Sequence, residues 1–351
     1  MIRQVLRILM ITSEWPTSEH PERGNFIVRQ VKFLREAGID VDVFAFRGAK
    51  NLLNYFKAWF RLQKQLRNNC YHLIHAQFGQ SGLLVFPKRL PFVITFHGSD
   101  LEGIVGRRGE YTVIGQVLRL ISKLVSLHAD VVIVVSKSLV KYLPKKCTYY
   151  VIPVGVDFEL FRPIPKVEAR KMLGFQEEKK LILFGGNPNM PVKRYSLALQ
   201  AVEILNSRLN VEIIPLQGIP PKLVPIYMNA CDVLLLTSFH EGSPNVVKEA
   251  LACNLPVVSV DVGDVRERIG GLQGCVVCSD DQPETIARAL EQVLTRNVPF
   301  QGREAVQNLD ERVVVRRIIE VYYEAILLFS NRKLSKNHWT VHKKKRSAVR
   351  R

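Results

Sequence analysis

The chain has 351 residues, of which 47% are hydrophobic and 23% are charged. This length exceeds the roughly 250–300 residues at which a single core stops growing, so two domains are expected, and the apolar content excludes a disordered chain. The net charge of +18 is uneven: residues 1–155 carry 22 Lys and Arg against 10 Asp and Glu, and residues 330–351 carry nine against none.

The first residues, "MIRQVLRILMITSE", lack a signal-peptide cleavage site and are typical of a strand. No apolar run reaches the ~18 residues that a membrane span needs. We therefore expect a cytoplasmic protein. Six scattered cysteines indicate reduced thiols, and the C-x-x-C at Cys275 and Cys278 is interpreted as core because no second pair accompanies it.

Strand and helix patterns alternate over residues 1–155. "LRILMIT" is a continuous apolar run, "FIVRQVKFLREAG" has helical spacing that stops at Gly38, and "IDVDVFAF" resumes as a strand. Short strands recur at "YHLIHAQF", "PFVITF", "ADVVIVVS" and "YYVIPV". This alternation predicts a parallel, doubly wound sheet. Asp40 and Asp42 mimic a metal-binding D-x-D, but their period-two spacing inside a strand indicates a structural role.

A second series of strands follows a linker with Pro163 and Pro165, from "KLILFGG" through "VEIIPL", "DVLLLTS", "LPVVSVDV" and "GCVVCS". "DERVVVRRIIEVYYEAILL" predicts a closing amphipathic helix. Two such lobes face a cleft, and ligands bind beyond the carboxyl ends of the strands. The predicted division is an N-terminal domain at 1–155, a C-terminal domain at 156–310, a helix at 311–330 that packs back toward the first domain, and a basic, disordered tail at 331–351.

The stretch "HEGSPNVVKEALACNLPVVSVDVGD" places Glu241 and Glu249 eight residues apart around a helix start. Ser243 is a good N-cap and Pro244 suits the first helical position. The free amides around Asn245–Val247 and the helix dipole favour an anion such as phosphate, while the two carboxylates suit hydroxyl groups. A sugar nucleotide carries both. The alternative is that Glu241 is solvated and Glu249 pairs with a neighbouring lysine.

Residues 238–267 resemble the E-x7-E signature and following strand of the family 4 retaining glycosyltransferases of the GT-B fold. The likeness continues to about residue 330 through "ITSEWP", "ITFHGSD", "VIPVGVDFELF" and "PVKRYSLALQA". It implies an α/β protein of two Rossmann-like, doubly wound parallel-sheet domains facing a cleft, with the acceptor on the N-terminal side and the donor on the C-terminal side. It also implies sugar transfer from a nucleotide diphosphate to a hydroxyl with retained anomeric configuration and without a metal or cofactor.

By motif position, the resemblance implies that Glu249 holds the ribose, that Glu241 contacts the donor sugar and that Lys193 neutralises the diphosphate. His97 matches a histidine near the donor sugar, so His97, Lys193 and Glu241 are the implied catalytic residues. The implied donor-binding residues are Gly24, Asn25, Gly186, Lys193, Arg194, Glu241, Gly242, Ser243, Pro244, Asn245, Val246, Val247 and Glu249.

Two positions depart from the family pattern. Asn187 stands where an arginine is common; either Arg194 compensates or diphosphate binding is weaker. Val154 replaces a usual asparagine, which removes a polar side chain there. Two alternatives within the fold are a sugar-nucleotide epimerase, against which the basic first domain argues, and a catalytically silent sugar-nucleotide-binding homologue. No nucleic-acid signature accompanies the positive charge, so no nucleic-acid partner is expected.

The segment "NLLNYFKAWFRLQKQLR" predicts a helix that lies on an anionic bilayer. It sets four cations at helical steps beside apolar side chains: Lys57, Arg61, Lys64 and Arg67, with Leu52, Phe56, Trp59 and Leu66. The alternative is a core-packed helix with a solvated basic side. We expect peripheral association with the inner face of the membrane and a glycan or lipid-linked acceptor in polysaccharide or glycolipid biosynthesis. The sequence leaves the sugar, the nucleotide, the acceptor and the oligomeric state open.

Overall fold

The first lobe is built on six parallel strands in the order β2-β1-β3-β4-β5-β6. The computed structural model describes residues 5–20, 23–48, 51–104, 111–296 and 298–348. The strands of this sheet are β1 Arg7–Thr12, β2 Asp40–Ala45, β3 Leu73–Gln77, β4 Phe92–Phe96, β5 Val131–Val134 and β6 Tyr149–Val151. The α-helices of this lobe are α1 Asn25–Glu36, α2 Leu52–Asn68, α3 Gly79–Gly82, α4 Ser99–Glu102 and α5 Val113–His128.

The second lobe has five parallel strands in the order β11-β10-β9-β7-β8. They are β7 Lys180–Phe184, β8 Val211–Pro215, β9 Val233–Leu236, β10 Val257–Ser259 and β11 Val276–Val277. Its α-helices are α6 Lys166–Leu173, α7 Tyr195–Asn206, α8 Val224–Ala230, α9 Asn245–Ala252, α10 Val265–Ile269 and α11 Pro283–Leu294. The central strands are runs of Val, Ile and Leu because helices bury them on both faces. The predicted α/β architecture of two doubly wound parallel sheets is confirmed.

Each sheet has a topological switch point. The chain passes from β1 to β2 on one side and then returns to place β3 on the other side of β1; β7, β8 and β9 repeat this arrangement. Ligands of such sheets bind at the carboxyl ends of the strands beside the switch point. The loops after β1, β3, β7 and β9 are therefore the place to look for a site.

The helices of the first lobe cover its sheet in two layers. α2 and α5 share one buried cluster, in which Ala58, Leu62 and Val125 pack against the sheet. On the opposite face, α1 packs beside the chain's last helix, α12 Glu311–Ala348, through residues such as Ile27 and Tyr322. The C-terminal helix thus crosses back onto the first lobe.

Helix α12 is longer than the sequence analysis expects. It continues past residue 330 to Ala348, since residues 331–348 contain neither proline nor glycine that would end it. The last three residues of the predicted tail, 349–351, lie outside the described ranges. Among the residues that the structure describes, no helix is both long and apolar enough to cross a bilayer.

Candidate active site

Four of the predicted site residues lie where the carboxyl ends of the two sheets face each other: Asn25, Gly186, Val246 and Glu249. Between them is a cavity of about 550 Å³. It is lined from the first lobe by Asn25, Val28, Arg29 and Lys32, and from the second lobe by residues that include Gly186, Lys222, Val246 and Glu249. A cavity of this volume accommodates a small organic ligand.

Gly24 allows the first lobe to approach this cavity closely. Its φ of 63° lies in the left-handed region, and a Cβ atom there would stand 2.4 Å from the carbonyl oxygen of Glu14. Any side chain would therefore clash with the backbone after β1. Gly24 is also the N-cap of α1, so it sets where Asn25 enters the cavity wall.

Lys193 and Glu241 form an ion pair at 2.5 Å between Nζ and Oε1. Gly186 makes room for it, since a Cβ atom there would lie 2.8 Å from Cδ of Lys193. The hydroxyl of Thr237 fixes the backbone of this loop by donating to the carbonyl oxygen of Lys193 at 2.8 Å. The structure thus brings together Lys193 and Glu241, the lysine and the glutamate to which the resemblance assigns catalytic roles.

Helix α9 begins one residue later than predicted. It starts at Asn245, with Pro244 as the N-cap. Ser243 is not the N-cap, because its hydroxyl donates to Oδ2 of Asp264 at 2.8 Å. The Val247 amide donates to the carbonyl oxygen of Pro244 at 3.3 Å, which leaves the earlier amides for a ligand.

Asn245 carries a buried polar atom that the fold does not satisfy. Its Oδ1 accepts no hydrogen bond from the described part of the chain. Buried acceptors of this kind cost about 1–3 kcal/mol when they stay unpaired, so a donor is expected from a bound molecule or water.

Arg29, which the sequence analysis does not single out, holds Glu249. Its Nη1 donates to Oε1 of Glu249 at 3.1 Å, its Nε to Oε2 of Glu311 at 3.1 Å, and its Nη2 to the carbonyl oxygen of Gly155 at 2.6 Å. The Glu311 carboxylate is wholly buried, and burial raises its pKa. One guanidinium therefore joins α1, the interlobe connection, α9 and α12.

Lys248 is fully buried directly before Glu249. Its Nζ donates to the carbonyl oxygen of Val154 at 3.0 Å and to Oγ of Ser243 at 3.2 Å. Burial lowers its pKa to about 8. Position 154, where an asparagine is usual in the family, thus makes a polar contact through its main-chain carbonyl oxygen, although the Val154 side chain is apolar.

His97 is neutral at physiological pH. Burial, its largest cause, lowers its pKa to about 3. Its Nε2 stands 2.8 Å from Oε1 of Gln77, whose amide nitrogen donates to Gln30, so Nε2 carries the proton and Nδ1 is the acceptor. Asp100 accepts from the amides of His97 and Gly98 at 3.0 and 2.9 Å and orders this loop.

The two lobes touch at a pair of glycines. A Cβ atom on Gly242 would lie 2.3 Å from the carbonyl oxygen of His97, and one on Gly98 would lie 3.2 Å from the Gly242 backbone. Next to them, Nε2 of His240 stands 3.2 Å from Oε2 of Glu102. His97 and Glu241 are therefore held on neighbouring loops although 144 residues separate them.

Neither Arg194 nor Asn187 places a second positive charge beside Lys193. The Arg194 guanidinium pairs with Asp281 at 2.5 Å and bonds the carbonyl oxygen of Thr237, so it does not join Lys193. Asn187 accepts the Asn189 amide at 2.9 Å in a local turn. Lys222, which the sequence analysis passes over, lines the cavity instead.

No cluster of three or more His, Cys, Asp or Glu side chains suited to a metal ion occurs within the described ranges. Asp40 and Asp42 both lie on β2, where Arg7 pairs with them at 3.2 and 2.8 Å.

Signals for the residues that the sequence analysis passed over are weak. Arg29 and Lys248 are cations on amphipathic helices, where solvation is the ordinary expectation. Arg29 meets Glu249 across 220 residues, a separation at which no local pattern operates. The one signal that favours a role for Lys248 is its helical spacing, because Leu251 and Ala252, three and four residues later, are apolar and place it on the buried side of α9.

Two family models match the chain. The model described as Glycosyltransferase Family 4 covers residues 9–160, and the model described as Glycosyl transferases group 1 covers residues 155–296. A Bacillus subtilis glycosyltransferase named for teichuronic acid biosynthesis, TuaC, is 25% identical over 83% of this chain and 89% of its own. A D-inositol 3-phosphate glycosyltransferase of Thermobispora bispora is 23% identical over 92% of this chain and 96% of its own.

Solved structures share the fold at low sequence identity. Sucrose-phosphate synthase of Thermosynechococcus elongatus is 17% identical, with a TM-score of 0.74 over 93% of this chain and 100% of that chain. Anabaena HepE, solved in complex with UDP and glucose, is 16% identical, with a TM-score of 0.68 over 90% of this chain and 99% of that chain. The chain belongs to the family 4, group 1 glycosyltransferases and has their GT-B fold.

Proposed function

We propose that this glycosyltransferase takes a nucleotide-diphosphate sugar in the interlobe cavity and transfers the sugar with retention of its anomeric configuration. The observation that carries the proposal is the cavity itself, which brings Asn25, Gly186, Val246 and Glu249 together from both lobes. The structures of HepE with UDP and with UDP-glucose support a nucleoside diphosphate as the common part of the donor.

The proposed placement follows the charges. The ribose hydroxyls donate to Glu249, whose single bond to Arg29 leaves other lone pairs of the carboxylate for them. The diphosphate lies against the first turn of α9 and within reach of Lys193. Glu241 then exchanges its bond to Lys193 for the sugar hydroxyls.

In the reaction, the bond from the anomeric carbon to the diphosphate oxygen breaks, and the acceptor oxygen bonds the same face of that carbon. The acceptor proton passes to the departing phosphate oxygen. Lys193 and the α9 amides stabilise the charge that develops on the leaving group, and a single such donor typically contributes about 10²–10³ in rate. His97, being neutral, offers hydrogen bonding rather than charge near the sugar.

Metal independence is part of this proposal. Lys193, the cavity's Lys222 and the α9 terminus supply positive charge of the kind that a divalent ion provides in other transferases. Activity is therefore expected to persist in EDTA.

We also propose a glycan or lipid-linked acceptor at an anionic membrane surface, in polysaccharide biosynthesis. The name of the TuaC relative supports the pathway class. On α2, Leu52, Leu53, Phe56 and Phe60 are exposed, and so are Lys57 and Arg61, as a helix at a bilayer surface requires.

The test of this proposal is a product analysis in the presence of EDTA. The chain is incubated with UDP-, GDP- and ADP-sugars, with and without a lipid extract as acceptor, and the anomeric proton of the product is followed by NMR. Retained configuration in EDTA is expected for one donor. An inverted product, an epimerised donor or a requirement for divalent metal would overturn the assignment.

A further inference from the structure

Helix α5 carries an apolar stripe on its outer surface. Side chains at three- and four-residue steps, which lie on one face of a helix, are between 48% and 77% exposed: Val113, Val117, Leu120, Leu124 and Leu127. The stripe runs for about 21 Å along the helix axis. A helix that covers a sheet normally turns polar residues outward. The outward face of α5 is apolar instead.

The stripe has an unusual electrostatic setting. Helix α5 contains Arg119 and Lys123 but no Asp or Glu, and α2, which covers the same face of the sheet, contains four cations and likewise no acid. This face of the first lobe therefore combines exposed apolar side chains with uncompensated positive charge from two helices.

A cationic cleft opens beside the stripe. It has a volume of about 620 Å³ and lies between α5 and residues 141–145. Its lining contains no carboxylate and four cations, which are Arg119, Lys123, Lys141 and Lys145. Leu120 belongs to both features, so the cleft and the apolar stripe are continuous.

The cleft is connected to the active site by a short path. Tyr142 on its wall donates to Oε1 of Glu102 at 2.8 Å, and Oε2 of Glu102 stands 3.2 Å from Nε2 of His240. His240 immediately precedes Glu241. Two side-chain contacts in series therefore connect the wall of the cleft to the loop of Glu241.

We propose that α5 and α2 dock the enzyme on an anionic bilayer, with the apolar stripe at the acyl boundary and a lipid headgroup phosphate in the cleft of Arg119, Lys123, Lys141 and Lys145. This deepens the proposed function, on which it rests for the membrane-bound acceptor. Several cations around a cleft suit a phosphate, and an apolar stripe suits the interface beneath it. Nucleic acid offers phosphates but no apolar layer for the stripe.

The experiment is vesicle flotation of the full chain. Vesicles of phosphatidylcholine alone are compared with vesicles containing about one third phosphatidylglycerol, at low and high salt. One variant replaces the stripe (Val117→Gln, Leu120→Gln, Leu124→Gln) and another the cleft (Lys123→Gln, Lys141→Gln, Lys145→Gln). The matched controls, on exposed positions of the second lobe, are Val167→Gln, Met172→Gln, Leu199→Gln and, separately, Lys171→Gln, Lys180→Gln, Arg296→Gln.

Both test variants should lose at least about tenfold in partitioning onto the anionic vesicles, while both control variants bind like the wild type. Because all replaced side chains are surface positions, the unfolding temperature should stay unchanged. Equal partitioning of wild type and variants, or binding to neutral vesicles that salt does not reduce, would overturn the inference. Nucleotide-induced thermal stabilisation is measured in parallel. Stabilisation without vesicle binding would support the donor site and overturn the docking surface. Vesicle binding without stabilisation would support the docking surface and overturn the donor site.

Discussion

Glu241 and Lys193 restrain each other through their ion pair. Replacing Glu241 by Gln removes the carboxylate that we propose contacts the sugar, and it releases the lysine charge. We expect transfer to fall by about 10²–10³ while the affinity for the nucleoside diphosphate alone increases. Initial rates and calorimetric titration measure the two effects separately.

The control for this variant is Glu284→Gln, an exposed acid at the start of α11. It should leave both quantities at their wild-type values. Wild-type transfer by the Glu241→Gln protein would remove the glutamate from the reaction.

The burial of Lys248 should make the free energy of unfolding increase with pH. Its folded pKa of about 8 lies below the ordinary value of 10.5. Between these values the unfolded chain binds more protons than the folded chain, so the lysine's contribution to the free energy of unfolding rises with pH. The difference in that free energy between wild type and Lys248→Met should therefore increase from about pH 7.5 to about pH 9.5.

Urea unfolding at the two pH values checks this difference. Lys171→Met, at an exposed position of α6, is the matched control and should show no such change. A wild-type-minus-variant difference that falls with pH would show that folding does not lower the pKa of Lys248.

At the scale of elements, α1 and α12 are joined to α9 by Arg29. Removing its guanidinium in Arg29→Met leaves the buried Glu311 carboxylate without its partner, which should cost about 3 kcal/mol of stability. The double variant Arg29→Met, Glu311→Leu should recover part of that loss, because the wholly buried Glu311 charge is then absent and only the partly exposed Glu249 has lost its partner. Denaturant unfolding measures both.

Lys32→Met serves as the control on the same helix, since that lysine is 58% exposed and its loss should change stability by less than about 0.5 kcal/mol. A loss in Arg29→Met no larger than in Lys32→Met would show that the buried cluster does not stabilise the fold.

The elements were predictable because their signals are local. Strands β1 and β7 coincide closely with the apolar runs "LRILMIT" and "KLILFGG". The start of α9 was misplaced by one residue, since the Ser243 hydroxyl that would cap a helix bonds Asp264 from a distant loop. The exposed stripe of α5 has helical spacing like a core-facing stripe, and only packing shows that it points outward.

The sequence motifs single out candidate site residues, and they do not identify the residues that hold those candidates in place. Glu241, Glu249 and Lys193 stand in short motifs, whereas the contacts of Arg29 and Lys248 depend on how two lobes and the last helix meet. Sequence spacing gives no information about contacts between such distant parts of the chain.

At the scale of the whole molecule, the lobes meet through Gly98 and Gly242, and this contact leaves no space for a side chain. Gly242→Ala should push the lobes apart and misplace donor and acceptor groups, which lowers transfer by about 10²-fold. Each lobe keeps its own core, so the unfolding temperature should change little. Gly271→Ala, with open space around its Cβ position, is the control.

Equal transfer rates for the Gly242→Ala and Gly271→Ala proteins would show that the glycine contact is not required for the reaction. A large drop in unfolding temperature for Gly242→Ala would instead assign the contact to folding.

The most direct measurement of the central claim is calorimetric titration of the protein with UDP, GDP and ADP in EDTA. We predict that one nucleoside diphosphate binds without metal, and that Glu249→Gln and Lys193→Met each weaken its binding by about tenfold, while Glu284→Gln does not. Absence of binding by all three nucleotides, binding only when a divalent ion is added, or unchanged affinity in both site variants would contradict the account.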